Sequence, residues 1–250
     1  TFAGLFGCVA FLPLFLQGVL GISPTASGLA LTPMMLAVAV SSMLSGQLIS
    51  KWGKYKGIAI VGMILAGLGS ALLLRLDVHA SYLDVILPIS VLGFGLGISV
   101  TIYSTLVQAT FPRHIGQASA SFDFFQELAG PVALAGLGSV LTLGYGSAFH
   151  AALPAALQQS VPARYLSLFE KPNSLLDPSS AHTLNSLFAA LGPNGQQVLG
   201  QIMEATRVGL ASSIHSVFIA GTLMLLLGLL ISFFLPVISL EDSKGHAEDN

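Results

Sequence analysis

Apolar residues in this chain come in long, nearly unbroken runs separated by short polar joints. A bilayer core needs roughly 20 residues of helix to cross it. Six runs meet that length, at residues 2–20, 24–50, 57–76, 83–107, 116–143 and 211–237. The second opens on Ser23 as N-cap and Pro24 at the first helical position, where a missing N–H costs nothing. The pattern predicts an all-α membrane protein. Helices one to five fill residues 1–143, and the last transmembrane helix fills 211–238.

Residues 144–210 interrupt the run of spans with Pro154, Pro162, Pro172, Pro178 and Pro193. They are expected to form one long extracytoplasmic loop. Leu184, Leu187, Phe188 and Leu191 recur within it at helical spacing, as do Val198, Ile202 and Met203. Short amphipathic helices lying on the membrane surface, or capping the outer mouth, fit that spacing. The polar residues 239–250 read as a solvated tail.

Composition strengthens the membrane reading. Of 250 residues, 54% are hydrophobic and only 8% charged, where soluble domains carry about 25% charged residues. Mean hydropathy is +0.83. A net charge of −2 leaves no basic footprint for nucleic acid. Cys8 is the only cysteine, so neither an intrachain disulfide nor a cysteine metal cluster is available. The six histidines show no metal-ligand spacing. No Ser-His-Asp, phosphate-loop or dinucleotide pattern gives enzyme chemistry a foothold, and no cofactor is implied. The chain opens on an apolar run without methionine or a cleavable leader, and so reads as a piece of a longer polypeptide.

The joints set an orientation. Lys51, Lys54 and Lys56 lie between spans two and three, and Arg113 lies between four and five. The joints at 21–23 and 77–82 hold no Lys or Arg. The positive-inside rule therefore puts the Lys51 and Arg113 joints in the cytoplasm, and both ends of this segment with them. Trp52 and Tyr55 read as interface anchors. Arg75 and Asp77, at the other face, read as a snorkelling interfacial pair.

Two acids stand out inside the fifth span. Asp123 and Glu127 lie one helical turn apart, with no other ionisable group from 118 to 141. A charge in hydrocarbon costs several kcal/mol unless it faces water, a partner or a ligand. Glu127 sits about 11 residues into the span, roughly 16 Å along a helix rising about 1.5 Å per residue. That depth is near the bilayer midplane. Desolvation and mutual repulsion would raise the proton affinity of both carboxyls. One reading is proton exchange along a transport pathway; the other is a structural acid hydrogen-bonded between helices. Gln17 and Gln126 are intramembrane amides that could line the same pathway or bind neighbouring helices. Pro131 reads as a kink in the pathway helix.

The stretch Gly46-Gln-Leu-Ile-Ser-Lys-Trp-Gly-Lys-Tyr-Lys56 resembles the short cytoplasmic loop of the major facilitator superfamily, Gly-x-Leu-x-Asp-Arg-x-Gly-Arg-Arg. Gly46, Leu48, Lys51, Gly53, Lys54 and Lys56 match in spacing and type. Ser50 stands where that family has aspartate, which implies a weakened cytoplasmic gate. The stretch from Leu12-Pro-Leu-Phe-Leu-Gln to Gly28-Leu-Ala-Leu-Thr-Pro33 resembles the fourteen-helix drug:proton antiporter branch. So does Gly116, Ala118, Ser119, Phe122, Gln126, Leu128 and Gly130 in the fifth span. There Asp123 replaces an asparagine, and Gln126-Glu127 replaces Arg-Gln, so basic charge has become acidic.

This resemblance implies a half of a major facilitator bundle: the C-terminal six helices, with the N-terminal half as partner. It implies proton-coupled efflux of amphipathic or cationic small molecules across the cell's inner membrane. The bilayer, protons and an amphipathic substrate would be its other partners. A proton- or ion-coupled importer of a small metabolite and a non-transporting membrane module are the alternatives.

Overall fold

A computed structural model describes residues 1–52, 55–155 and 193–234, with the single positions 157, 166, 169 and 188. Six helical stretches are long and apolar enough to cross a membrane, and no strand occurs among the described residues. Helix α1 (Phe2–Leu14) runs on through a π-helical turn at Phe15–Val19. Gly21, at φ +68°, ends it by taking a left-handed conformation that costs other residues more. The Ile22 N–H then returns to the Leu16 carbonyl at 2.9 Å.

The second span is two pieces, α2 (Pro24–Leu29) and α3 (Thr32–Trp52). Ser23 caps α2 as expected, its hydroxyl accepting the Ala26 N–H at 3.3 Å. Pro33 accounts for the break, because it has no N–H to return to the Leu29 carbonyl. Next come α4 (Tyr55–Leu73) and α5 (Tyr82–Thr110). A capping box fixes the start of α5: Ser81 accepts the Asp84 N–H while the Asp84 carboxylate accepts the Ser81 N–H. Helix α6 (Ile115–Ala152) and α7 (Pro193–Phe233) complete the bundle.

Both edges of the expected 144–210 loop are helical instead. Helix α6 continues past 143 to Ala152, and α7 begins at Pro193 rather than near 211. The physical reason is packing outside the span. Tyr145 and Phe149, one turn apart and fully buried, stack with ring centres 6.1 Å apart. The Tyr145 hydroxyl donates to the Phe169 carbonyl at 2.6 Å. Helix α7 brings Gly209 against the Phe149 backbone, with Ala205, Ile202 and Leu199 buried about one, two and three turns earlier. Hydropathy marks where a helix is greasy enough to span, not where it stops. Val198, Ile202 and Met203 thus belong to the first turns of α7. Phe188 is buried, while Leu184, Leu187, Leu191 and the tail 239–250 lie outside the described residues.

Helix α5 packs against α3 and α4, and α7 against α6, α4 and α1. The alternating glycines of α5 divide the work. Gly93 and Gly97, one turn apart, meet α3 at Met34 and Val38; Gly95 meets α4 at Gly62 and Ala66. No side chain fits at these crossings, which is how small residues hold membrane helices together. A buried polar chain adds to the α1, α4 and α7 contacts: Cys8 Sγ lies 3.2 Å from Ser70 Oγ, which lies 2.7 Å from Thr222 Oγ1.

Candidate functional site

Helix α6 positions most of the predicted site. Its inward stripe is Gly130, Ala133, Leu137 and Leu141, continued outward by Tyr145 and Phe149. The remaining circumference is uncovered. Only 28% of the apolar window of the fifth span is buried, and 22% of the second, against 61% for the fourth.

Asp123 and Glu127 are exposed on that uncovered surface, and neither carboxylate has a hydrogen bond or ion pair among the described residues. Successive residues step about 100° around a helix. The two acids consequently share a flank with Gly116, Ala120 and Gly138. Those small side chains leave room beside the carboxyls; nothing lies within 4 Å of where a Cβ would stand on Gly116 or Gly138. Gln126 is half-buried beside the stripe, and Pro131 is exposed inside a helix that continues on both sides.

Gln17 is committed elsewhere. Its amide donates to Ser27 Oγ at 2.7 Å, and Ser27 donates to the Pro24 carbonyl at 2.8 Å. That pair ties the π-helical turn of α1 to α2, so Gln17 and Gln126 are not brought together by hydrogen bonding. Arg207 of α7, which carried no signal in the sequence, reaches the same turn. Its Nε donates to the Val19 carbonyl at 2.9 Å, with Glu204 Oε2 3.4 Å from Nη1.

At the lysine-bearing joint, Lys51 ends α3 and is exposed, while Lys56 opens α4 and is half-buried. The Ser50 hydroxyl turns back to the Gln47 carbonyl at 3.0 Å. Gly46 faces open space, with nothing within 4 Å of its would-be Cβ. Gly53 and Lys54 lie outside the described residues.

A groove that sequence reading missed opens between the end of α5 and the start of α6. Its volume is about 520 Å³, and its walls include Phe111, Phe122 and Phe125, with His114, Gln117 and Ser121 as the polar groups. Phe122 meets Phe2 of α1 edge-on, ring centres 6.4 Å apart. The only advance signal was four phenylalanines within fifteen residues around the Arg113 joint, which hydropathy alone reads as lipid contact. Phe125 and Glu127 are two residues apart, hence about 200° apart around α6. One helix thus presents an aromatic groove on one flank and, on the other, two carboxyls unpaired among the described residues.

The profile of the Major Facilitator Superfamily matches residues 1–134. The multidrug transporter protein MdtP of Bacillus subtilis is 31% identical over 246 residues, covering 97% of this chain and 45% of that protein. The tetracycline resistance determinant of Streptomyces rimosus is 31% identical over 245 residues, 93% of this chain and 67% of its own length. The puromycin resistance protein pur8 of Streptomyces alboniger is 34% identical over 161 residues, 61% of this chain and 32% of its own. The chain therefore spans less than half of the first relative and two thirds of the second.

Proposed function

The chain belongs to the major facilitator superfamily, and on that premise we propose that it is the C-terminal half of a proton-coupled drug exporter of the fourteen-helix branch. It is a multi-pass membrane protein, and its family points to transport rather than enzyme chemistry. The reading places it in the inner membrane with both ends of this segment cytoplasmic. The remainder of the polypeptide would cover the open faces of α3 and α6. Relatives named as a multidrug transporter and as tetracycline and puromycin resistance proteins support export of amphipathic compounds.

One observation carries the coupling: two carboxyls without partners among the described residues, one turn apart in a membrane helix whose opposite flank lines an aromatic groove. In the proposed cycle, planar or cationic substrate enters the groove from the cytoplasmic side, held by phenylalanine faces that suit both apolar rings and cations. The halves rock to open the loaded site outward, where a proton from outside neutralises Glu127 and displaces the substrate, with Asp123 nearer the cytoplasm as the next acceptor. Removing that charge lowers the cost of closing the acid flank against its neighbour. Because the acids and the groove share one rigid helix, closure on one flank repositions the other. The protonated form then rocks back about the central site and releases the proton to the cytoplasm, where the next substrate binds. Gln126 and Pro131 stay in this pathway as polar lining and bend; the loop of Gly46, Ser50, Lys51, Gly53, Lys54 and Lys56 serves as the cytoplasmic gate.

The test is transport by the complete polypeptide in proteoliposomes with an imposed pH gradient. Substrate should move against its own gradient only while the proton gradient stands. Transport indifferent to that gradient would overturn proton coupling and leave a facilitator.

A further inference from the structure

The turn between α4 and α5 opens onto a second cleft, of about 360 Å³. It lies at the end of α4 opposite Lys56, built on the exit from that helix and the first two turns of α5. Leu72 and Leu76 form one wall; Leu83 and Leu87, 74% and 60% exposed, form the other. Each wall carries one charge, Arg75 on the first and Asp84 on the second.

Both charges have capacity to spare. The Arg75 guanidinium has no hydrogen-bond or ion-pair partner among the described residues. Its place after the last turn of α4 suits the helix's negative pole but leaves its donor fork unused. Asp84 accepts the Ser81 N–H at 2.8 Å and hydroxyl at 2.7 Å through Oδ2 alone, so Oδ1 remains an open acceptor among the described residues. The two do not pair with each other across the cleft. A ligand that satisfied both would carry an anion beside a hydrogen-bond-donating cation, with an apolar body for the leucines.

We propose that this cleft binds a phospholipid with a primary-ammonium headgroup, in the leaflet opposite the lysine joint. Its phosphate takes the Arg75 fork, the planar geometry that matches phosphate oxygens two at a time. Its ammonium donates to Asp84 Oδ1, and an acyl chain runs between Leu76 and Leu87. The positive-inside rule makes that the outer leaflet. The chemistry discriminates among lipids. A choline headgroup keeps the charge but has no N–H to donate to Asp84. A glycerol headgroup brings no cation, leaving the carboxylate facing a phosphate.

Native mass spectrometry of the complete protein tests this, using phosphatidylethanolamine, phosphatidylcholine and phosphatidylglycerol with identical chains. Ethanolamine lipid should be retained roughly fivefold over either competitor, the size of one charge-assisted hydrogen bond weakened by solvent exposure. Arg75→Gln should lower retention of ethanolamine lipid, and Asp84→Asn should erase its preference over choline lipid. Leu87→Trp, which fills the cleft and leaves both charges, should lower retention as well. Equal retention of the three lipids by the unaltered protein would overturn the proposal, whatever the variants do. So would displacement by soluble phosphoethanolamine at the same concentration as by acylated lipid, since the leucine walls would then contribute nothing.

Discussion

Single residues in this protein differ mainly in whether their polar atoms are already spoken for. Gln17, Ser27, Ser70 and Thr222 are bonded to neighbouring groups, so their polarity goes into holding helices together. Asp123 and Glu127 have no such partners among the described residues, which is why the proton-handling role is assigned to them. Phe125 is 68% exposed at the groove, so Phe125→Ala should leave the fold intact. It should weaken substrate binding by roughly fivefold to tenfold, as removal of one stacking face does, in a direct binding titration. Arg207 makes the opposite prediction. Arg207→Gln removes the 2.9 Å bond to the Val19 carbonyl at the end of the π-helical turn. It should cost about 1 kcal/mol of stability, read as a lowered melting temperature in detergent, with Lys restoring part of the loss. At the lysine-bearing joint, Ser50 spends its hydroxyl on its own helix at Gln47. Ser50→Asp would place a carboxylate beside Lys51 and should shift the conformational distribution toward the outward-facing state, measured by spectroscopic distances between the two halves.

Helices are where the glycines decide the outcome. Gly95 leaves no space for a Cβ between Gly62 and Ala66, whereas Gly46 has open space around it. Gly95→Ala should therefore destabilise the α4–α5 pair by about 1–3 kcal/mol through overpacking. Gly46→Ala should be neutral or gain up to about 1 kcal/mol of helix propensity. Equal melting temperatures for the two variants would contradict that assignment of close contact. The same scale shows what was legible in advance. Span existence and the Ser23 cap follow from hydropathy and capping chemistry. The ends of α6 and α7 do not, because Tyr145, Phe149 and Ile202 are buried by partners distant in sequence. Nor does the π-helical turn at 15–19, whose surroundings depend on Ser27 and Arg207 from other helices. The aromatic groove was hidden for a similar reason. Phe111 and Phe125 look like lipid contacts until the α5–α6 hairpin places them across a cavity.

At the scale of the whole molecule, the bundle is unevenly closed. The fourth span is well buried, while the second and fifth present most of their surface outward. Apolar residues such as Leu36, Met43, Val132 and Leu143 occupy much of that surface and suit lipid or another helical half. Acids on the same surface do not suit lipid, and this mismatch is what makes α6 the centre of the proposed mechanism. Family membership fixes the architecture, whereas the proposed proton coupling rests on Glu127 itself. Glu127→Gln keeps the shape and polarity of the side chain and removes only its ability to ionise. In proteoliposomes of the complete transporter, that variant should still bind substrate and exchange it across the membrane. It should no longer accumulate substrate when a pH gradient is imposed. Gradient-driven accumulation at the unaltered rate in Glu127→Gln would contradict the assignment.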